Sequence, residues 1–311
     1  MSAPPADGGD ARSPKHRAGR RERTSAGAAS RAVLSLQPQP LASLPPGLSK
    51  QGSSGRLAVQ SAQLRELILD VAYQAHVGHI ASCLSIADII TATFAVLDLK
   101  RDTFVLSKGH AALTLYAALY QNGLISHEEL FSYCAEDSLF AVHPDHRIPG
   151  VRFTTGSLGY GLGFAAGVSL AHRAAQAPPR CITVVSDAEL NEGSSWEAIM
   201  FAGHHRLPLV AIVDVNGQQA LGRTRAVLDL APLAPKFASF GWRAQDVDGH
   251  DPYAMRALIK AADASRPCAL LAHTVAGRGV PFMEGRVGWH YWPLSEVQHA
   301  DARRALRTTQ P

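Results

Sequence analysis

Ile182-Thr183-Val184-Val185-Ser186-Asp187 and Leu209-Val210-Ala211-Ile212-Val213-Asp214-Val215-Asn216 are the two stretches on which the fold turns. Ile182 to Val185 and Leu209 to Val213 are short apolar runs rich in β-branched residues, each ending near an aspartate. Runs of this kind read as strands buried on both faces. A third, Ala269 to Val275, lies further on, and stretches of helical character separate or follow the three. That alternation predicts an α/β fold, a parallel sheet flanked by helices. In open sheets of this class ligands collect beyond the carboxyl ends of the strands. Those ends hold Asp187, then Asp214 and Asn216, then Thr274 with Gly277 and Gly279.

Upstream, Leu64, Leu67, Ile68, Val71 and Ala75 recur at helical spacing up to a turn around His76 and Gly78. Ser85, with Asp88 three residues later, makes a capping-box pattern for a second helix, and Ala111 to Tyr120 reads as a third. Residues 1–55 are rich in Ala, Ser, Pro, Gly and Arg and nearly free of aromatic residues, which predicts a disordered basic extension. Arg20, Arg21 and Arg23 also fit a transit peptide or a nucleic-acid arm, but a solvated tail is the simpler reading. The folded domain is expected over residues 56–311.

Charge supports that division. Residues 1–50 hold eight Lys/Arg against three Asp/Glu, a surplus of five in a chain of net charge +4, so the remainder stands at −1. A nucleic-acid-binding face on the folded part is therefore not expected. Cys83, Cys134, Cys181 and Cys268 show no metal or redox spacing and read as small buried hydrophobes. No run reaches the eighteen apolar residues of a membrane span, and the expectation is a soluble, cytoplasmic protein.

Asp187 and Asn216 each follow a strand and stand 29 residues apart, one helix plus one strand of crossover, so both should face one crevice. A carboxylate, an amide oxygen and a backbone carbonyl are hard donors suited to Mg²⁺ that phosphate also holds. An aspartate at a strand end is, taken alone, more often a helix cap.

The surrounding residues add to this. Ser186-Asp187-Ala188-Glu189-Leu190-Asn191-Glu192-Gly193 with Val213-Asp214-Val215-Asn216-Gly217 resembles the bipartite thiamine-diphosphate motif of transketolases. The resemblance runs from about Leu64 to His290, through Gly78-His79-Ile80, Leu106-Ser107-Lys108-Gly109-His110, His143-Pro144, Thr155-Gly156-Ser157-Leu158-Gly159, Trp196-Glu197, Asp248-Gly249-His250-Asp251 and Trp289-His290.

It implies thiamine diphosphate and Mg²⁺, or Ca²⁺ or Mn²⁺, as cofactors. Asp187, Asn216 and the carbonyl of Gln218 would ligate the metal. His110, His290, Gly159 and Ala188 would lie against the cofactor, His79 and His143 near the donor sugar, and Glu192 and Glu197 at the junction with a second subunit. Read alone, each histidine is more often a structural residue, and Glu197 also fits a capping box with Ser194. A complete transketolase continues into a second and a third domain, one of which carries the glutamate that bonds the aminopyrimidine ring. The resemblance thus implies the cofactor-diphosphate half of a split enzyme, joined by a separate C-terminal subunit in an α2β2 assembly that moves a two-carbon ketol unit between a sugar phosphate or related ketose and an aldehyde.

Two departures bear on this. The family has glycines where Ser186 and Ala188 stand, and either side chain would be strained if the local φ is positive. Ala81 and Ser82 likewise replace a frequent glycine pair. The rival readings are an acyloin-forming thiamine enzyme of specialised metabolism, a subunit that keeps the fold without productive cofactor, and, from Gly161-Leu162-Gly163-Phe164-Ala165-Ala166, a nicotinamide site.

Overall fold

The computed structural model describes residues 54–175, 179–262 and 264–308. The expected extension lies outside them, except that Ser54 and Gly55 open the first helix. Helix α1 (Ser54–Ala75) leads to α2 (Ile80–Ser85), α3 (Ala87–Phe94), strand β1 (Thr103–Leu106), α4 (Ala112–Gln121), α5 (His127–Phe131) and α6 (Tyr160–His172). Strand β2 (Cys181–Ser186), α7 (Gly193–His204) and β3 (Leu209–Val215) follow. After a small ribbon of β4 (Gln218–Gln219) and β5 (Gly222–Arg223) come α8 (Thr224–Val227), α9 (Leu233–Ser239), β6 (Arg243–Asp248), α10 (Pro252–Ala261), β7 (Cys268–His273) and α11 (Glu296–Thr308).

The main sheet has the order β1-β2-β3-β7-β6 with every pairing parallel. Its central strands are buried from end to end because each pleat packs on a helical layer. Ile182, Val184, Ile212 and Leu270 face a core shared with α1 to α4, α10 and α11. Val185, Ala211, Val213 and Leu271 face the opposite core, with α6, α7 and α9. The three predicted strands are thus β2, β3 and β7, each within two residues of the expected bounds. Leu64, Ile68 and Val71 of α1 point into the first core, as their spacing predicts. No disulfide joins the four cysteines, three of which are buried. No helix among the described residues is long and apolar enough to cross a membrane.

The structure corrects one local expectation. Ile86 caps α3 without any side-chain bond, so the Ser85/Asp88 capping box does not form. The Ser85 hydroxyl donates to Asp214 at 2.9 Å, and Asp88 accepts from the Arg65 guanidinium and pairs with His250 at 3.0 Å. Charged partners brought in by packing outcompete a weaker local cap.

Gly161-Leu162-Gly163 lies inside α6, and the residues before Tyr160 form a loop rather than a strand. A Cβ on Gly161 would stand 2.3 Å from Ser107 Oγ and 2.7 Å from Ser107 Cα. This glycine lets α6 press on the end of β1, which accounts for it without a nucleotide.

Candidate cofactor and active site

The site gathers at the carboxyl ends of β1, β2, β3 and β7. Asp187 follows β2 and is buried, its Oδ1 accepting from Ala188 N at 3.0 Å and its Oδ2 from Gly217 N at 3.0 Å. Asn216 follows β3, with Oδ1 accepting from Gln218 N at 2.9 Å. Consecutive amides of one turn, Gly217 and Gln218, therefore hold the oxygens of Asp187 and Asn216 side by side. Burial first, and the charge of Asp214 second, push the Asp187 carboxyl up to about 6. No cationic side chain is ion-paired with Asp187 among the described residues.

That donor set suits a hard divalent cation. A raised carboxylate beside an amide oxygen is short of positive charge, and the turn is open above Gly217, where a Cβ would meet nothing within 4 Å. No three His, Cys, Asp or Glu side chains converge as a self-sufficient metal cage among the described residues. A single carboxylate, an amide and a carbonyl would leave the rest of the shell to phosphate oxygens and water.

Three imidazoles form a triangle next to this turn. His79 caps α2, His110 sits in a 3-10 turn after β1, and His290 in another at Val287–His290. Their ring centroids lie 5.7 Å (His79 to His110), 5.0 Å (His79 to His290) and 5.4 Å (His110 to His290) apart. His79 adopts φ 64°, and its N–H donates to the His290 carbonyl at 3.1 Å, which locks the two segments together. Ser82 Oγ stands 3.4 Å from His290 Nδ1.

Burial is the first cause in lowering all three, and neighbouring charges deepen it: Lys108 for His110, His143 for His79, and His79 then Lys108 for His290. His290 is lowered to about 4. Near neutral pH these rings are uncharged, and each offers a single N–H donor. His143 stands outside the triangle; the residue is exposed, but its ring lies against Gly156, and that partial burial lowers its pKa as well.

The folded value of His290 lies below its ordinary 6.5, so it contributes stability that is fully present above about pH 6.5 and is lost as pH falls through 4. Urea unfolding at pH 6.5 and 4 should therefore show a smaller loss in His290→Gln than in the native chain. The difference should be on the order of 1 kcal/mol, discounted for a partly exposed ring. Equal losses would show that this imidazole does not feel the burial.

Gly159 has φ 90°, and a Cβ there would meet Ser194 Oγ at 2.4 Å and Glu192 Cβ at 2.8 Å. Its N–H donates to Glu189 Oε1 at 3.0 Å. Ala188 begins the 3-10 turn after Asp187. Glu192 caps the start of α7 and is exposed, as is Glu197 one turn on; neither joins the histidines. The Ser194 hydroxyl donates to Gly159 O at 3.2 Å and does not cap α7, so the capping-box reading of Glu197 is withdrawn. Glu197 instead lines an open, largely apolar groove of about 490 Å³ between α6 and α7, with Phe153, Gly159, Tyr160, Phe164 and Phe201.

Ser186 and Ala188 are absent from the residues with positive φ, so neither replacement of a glycine is strained. Ser186 makes a capping box of its own: its Oγ accepts from Glu189 N at 3.1 Å while its N–H donates to Glu189 Oε2 at 3.0 Å.

Sequence reasoning gave no role to three buried charges. Lys108 and Asp214 are fully buried and pair at 2.5 Å. Glu189 takes the Ser107 hydroxyl at 2.5 Å and the amides of Gly159 and Ser186, tying three segments together. The one signal for Glu189 was the Ser186-x-x-Glu189 spacing.

Residues 57–310 match the family described as "Transketolase, thiamine diphosphate binding domain". An apulose-4-phosphate transketolase subunit of Phocaeicola vulgatus is 32% identical over 80% of this chain and 93% of its own length. The 6-deoxy-6-sulfo-D-fructose transketolase subunit SqwG of Clostridium sp. (strain MSTE9) is 35% identical over 76% and 91%. The solved transketolase of Campylobacter jejuni superposes with a TM-score of 0.76 and 29% identity over 81% of this chain, which spans only 43% of that one. With this fold, this crevice and a family match over nearly all the described residues, the chain belongs to the transketolase family through its thiamine diphosphate binding domain.

Proposed function

We propose that this chain is the cofactor-diphosphate subunit of a two-component transketolase. Joined by a separate C-terminal subunit, as two copies of each, it transfers a two-carbon ketol unit from a ketose or ketose phosphate to an aldehyde. The observation that carries this reading is the Gly217–Gln218 turn, which aligns a buried, charge-starved Asp187 with the Asn216 amide oxygen. Two further observations support the split. Relatives named as transketolase subunits are matched over 93% and 91% of their length. The groove beside Gly159 leaves Tyr160 of α6 and Phe201 of α7 at 61% and 41% exposure, an apolar surface suited to a protein partner.

Asp187, Asn216 and the carbonyl of Gln218 would hold Mg²⁺, with Ca²⁺ or Mn²⁺ as substitutes. His110 and His290, uncharged, would donate N–H bonds to the diphosphate, and the backbone at Gly159 and Ala188 would lie against it. Thiamine diphosphate, when bound, supplies the carbanion chemistry that breaks and forms the carbon–carbon bond. His79 and His143 hydrogen-bond the sugar near the reacting carbon and move a proton there at neutral pH. Glu192 and Glu197 face the partner at the exposed start of α7. Ser186 and Ala188 lie outside the positive-φ region, so backbone strain gives no support to a subunit that has lost its cofactor.

Titration calorimetry of the full chain with thiamine diphosphate tests the reading. Saturable binding is expected with Mg²⁺ present and little after chelation with EDTA; equal heats in both conditions would sink it.

A further inference from the structure

Asp214 is the penultimate residue of β3, two before Asn216, with no exposed surface. Four donors from four segments converge on its carboxylate. Ser85 Oγ from α2 donates to Oδ2 at 2.9 Å, Lys108 Nζ from the end of β1 at 2.5 Å and Asn216 Nδ2 at 2.9 Å; the Thr274 hydroxyl, just beyond β7, donates to Oδ1. An ionised carboxylate is an acceptor only. Facing it, the Asn216 amide can present its NH2 but not its oxygen. The oxygen is turned to the other side, where it receives Gln218 N at 2.9 Å and stands beside Asp187 on the shared turn.

We infer that Asp214 is a positioning residue for the metal site: by holding the Asn216 amide nitrogen it fixes which end of that amide faces the divalent ion. The inference rests on the reading of Asp187 and Asn216 as metal ligands. Mg²⁺ takes oxygen ligands in a nearly fixed geometry, and an amide NH2 turned toward it would remove a ligand and oppose the cation with N–H dipoles. The two ends of an amide have the same shape, so packing alone chooses between them weakly. A charged acceptor on one side chooses decisively. Lys108 supplies the counter-charge, while Ser85 and Thr274 hold the carboxylate from two further segments, so the orientation is set by elements remote in sequence.

The test is calorimetric measurement of Mg²⁺ affinity at saturating thiamine diphosphate, on the full chain, in Asp214→Asn and in the reciprocal exchange Asp214→Asn/Asn216→Asp. In the exchange, made together with Lys108→Met because the same Oδ2 also accepts from Lys108, the donor and acceptor trade places, and an oxygen still faces the metal. We expect about ten- to hundredfold weaker Mg²⁺ binding in the single variant, the usual cost of losing an outer-shell partner. Recovery to within about fivefold is expected in the exchange, with both variants melting cooperatively. Should Lys108, left without its counter-charge, prevent Asp214→Asn from folding, Lys108→Met/Asp214→Asn removes both charges and is expected to show the same weakening. A single variant within twofold of the native chain overturns the inference, and so does an exchange that melts normally yet recovers nothing. A native chain that binds thiamine diphosphate without regard to Mg²⁺ overturns the parent reading, and this inference with it.

Discussion

Mixing the purified chain with the proposed partner polypeptide is expected to raise ketol-transfer turnover from background by at least the roughly hundred- to ten-thousandfold that a missing acid–base group costs. The reason is the openness of the site. His143, Glu192 and Glu197 are exposed, and the α6/α7 groove beside Gly159 is uncovered. A cofactor held against this wall alone stays in contact with water, which weakens every electrostatic contact that the histidines and the metal turn make. On the proposed reading, the acid that would bond the aminopyrimidine comes from the second component. The assay is formation of glycolaldehyde-transfer products from a ketose phosphate, by each component and by the mixture. A single chain that matches the mixture would end the two-component reading.

Asp187→Ala should abolish metal-dependent retention of thiamine diphosphate. The loss should exceed the about 10–100-fold that an outer-shell change costs, because a direct hard ligand is gone. The fold should survive. Two N–H donors, from Ala188 and Gly217, lose their acceptor, at about 1–3 kcal/mol each if water does not replace it. Against this, the substitution relieves the burial of a carboxylate already pushed up to about 6. Equilibrium dialysis with and without Mg²⁺, beside a thermal melt, separates the two effects. Unchanged cofactor affinity in a well-folded variant would remove Asp187 from the metal shell.

The central strands were legible because residues buried on both faces are apolar over most of their run, as Ile182, Val184 and Val185 of β2, Leu209 to Val213 of β3 and Cys268 to Ala272 of β7 are. The two outer strands were not. Thr103–Leu106 is only four residues long, and Arg243–Asp248 lies at the sheet edge, half-buried, with Arg243, Gln245, Asp246 and Asp248 written in polar residues. Periodicity reports which side of an element is dry; β6 has too little dry surface to report, and β1, though buried throughout, is too short to show a period.

The same division runs through the site. Spacing alone put Asp187 and Asn216 at the ends of neighbouring strands, since one crossover helix and one strand fix that distance along the chain. The family resemblance added four histidines, and the fold brought three of them, His79, His110 and His290, into one triangle from three separate segments. Tertiary structure alone decided what surrounds them. Lys108 meets Asp214 across 106 residues and Ser107 meets Glu189 across 82, while Ser85 gives up a local cap for Asp214. Local sequence fixes the conformation and the wet or dry face of each element. A buried charge, which must find a partner or neutralise, takes whichever polar group packing delivers, and that group is set by topology rather than by neighbours in the chain.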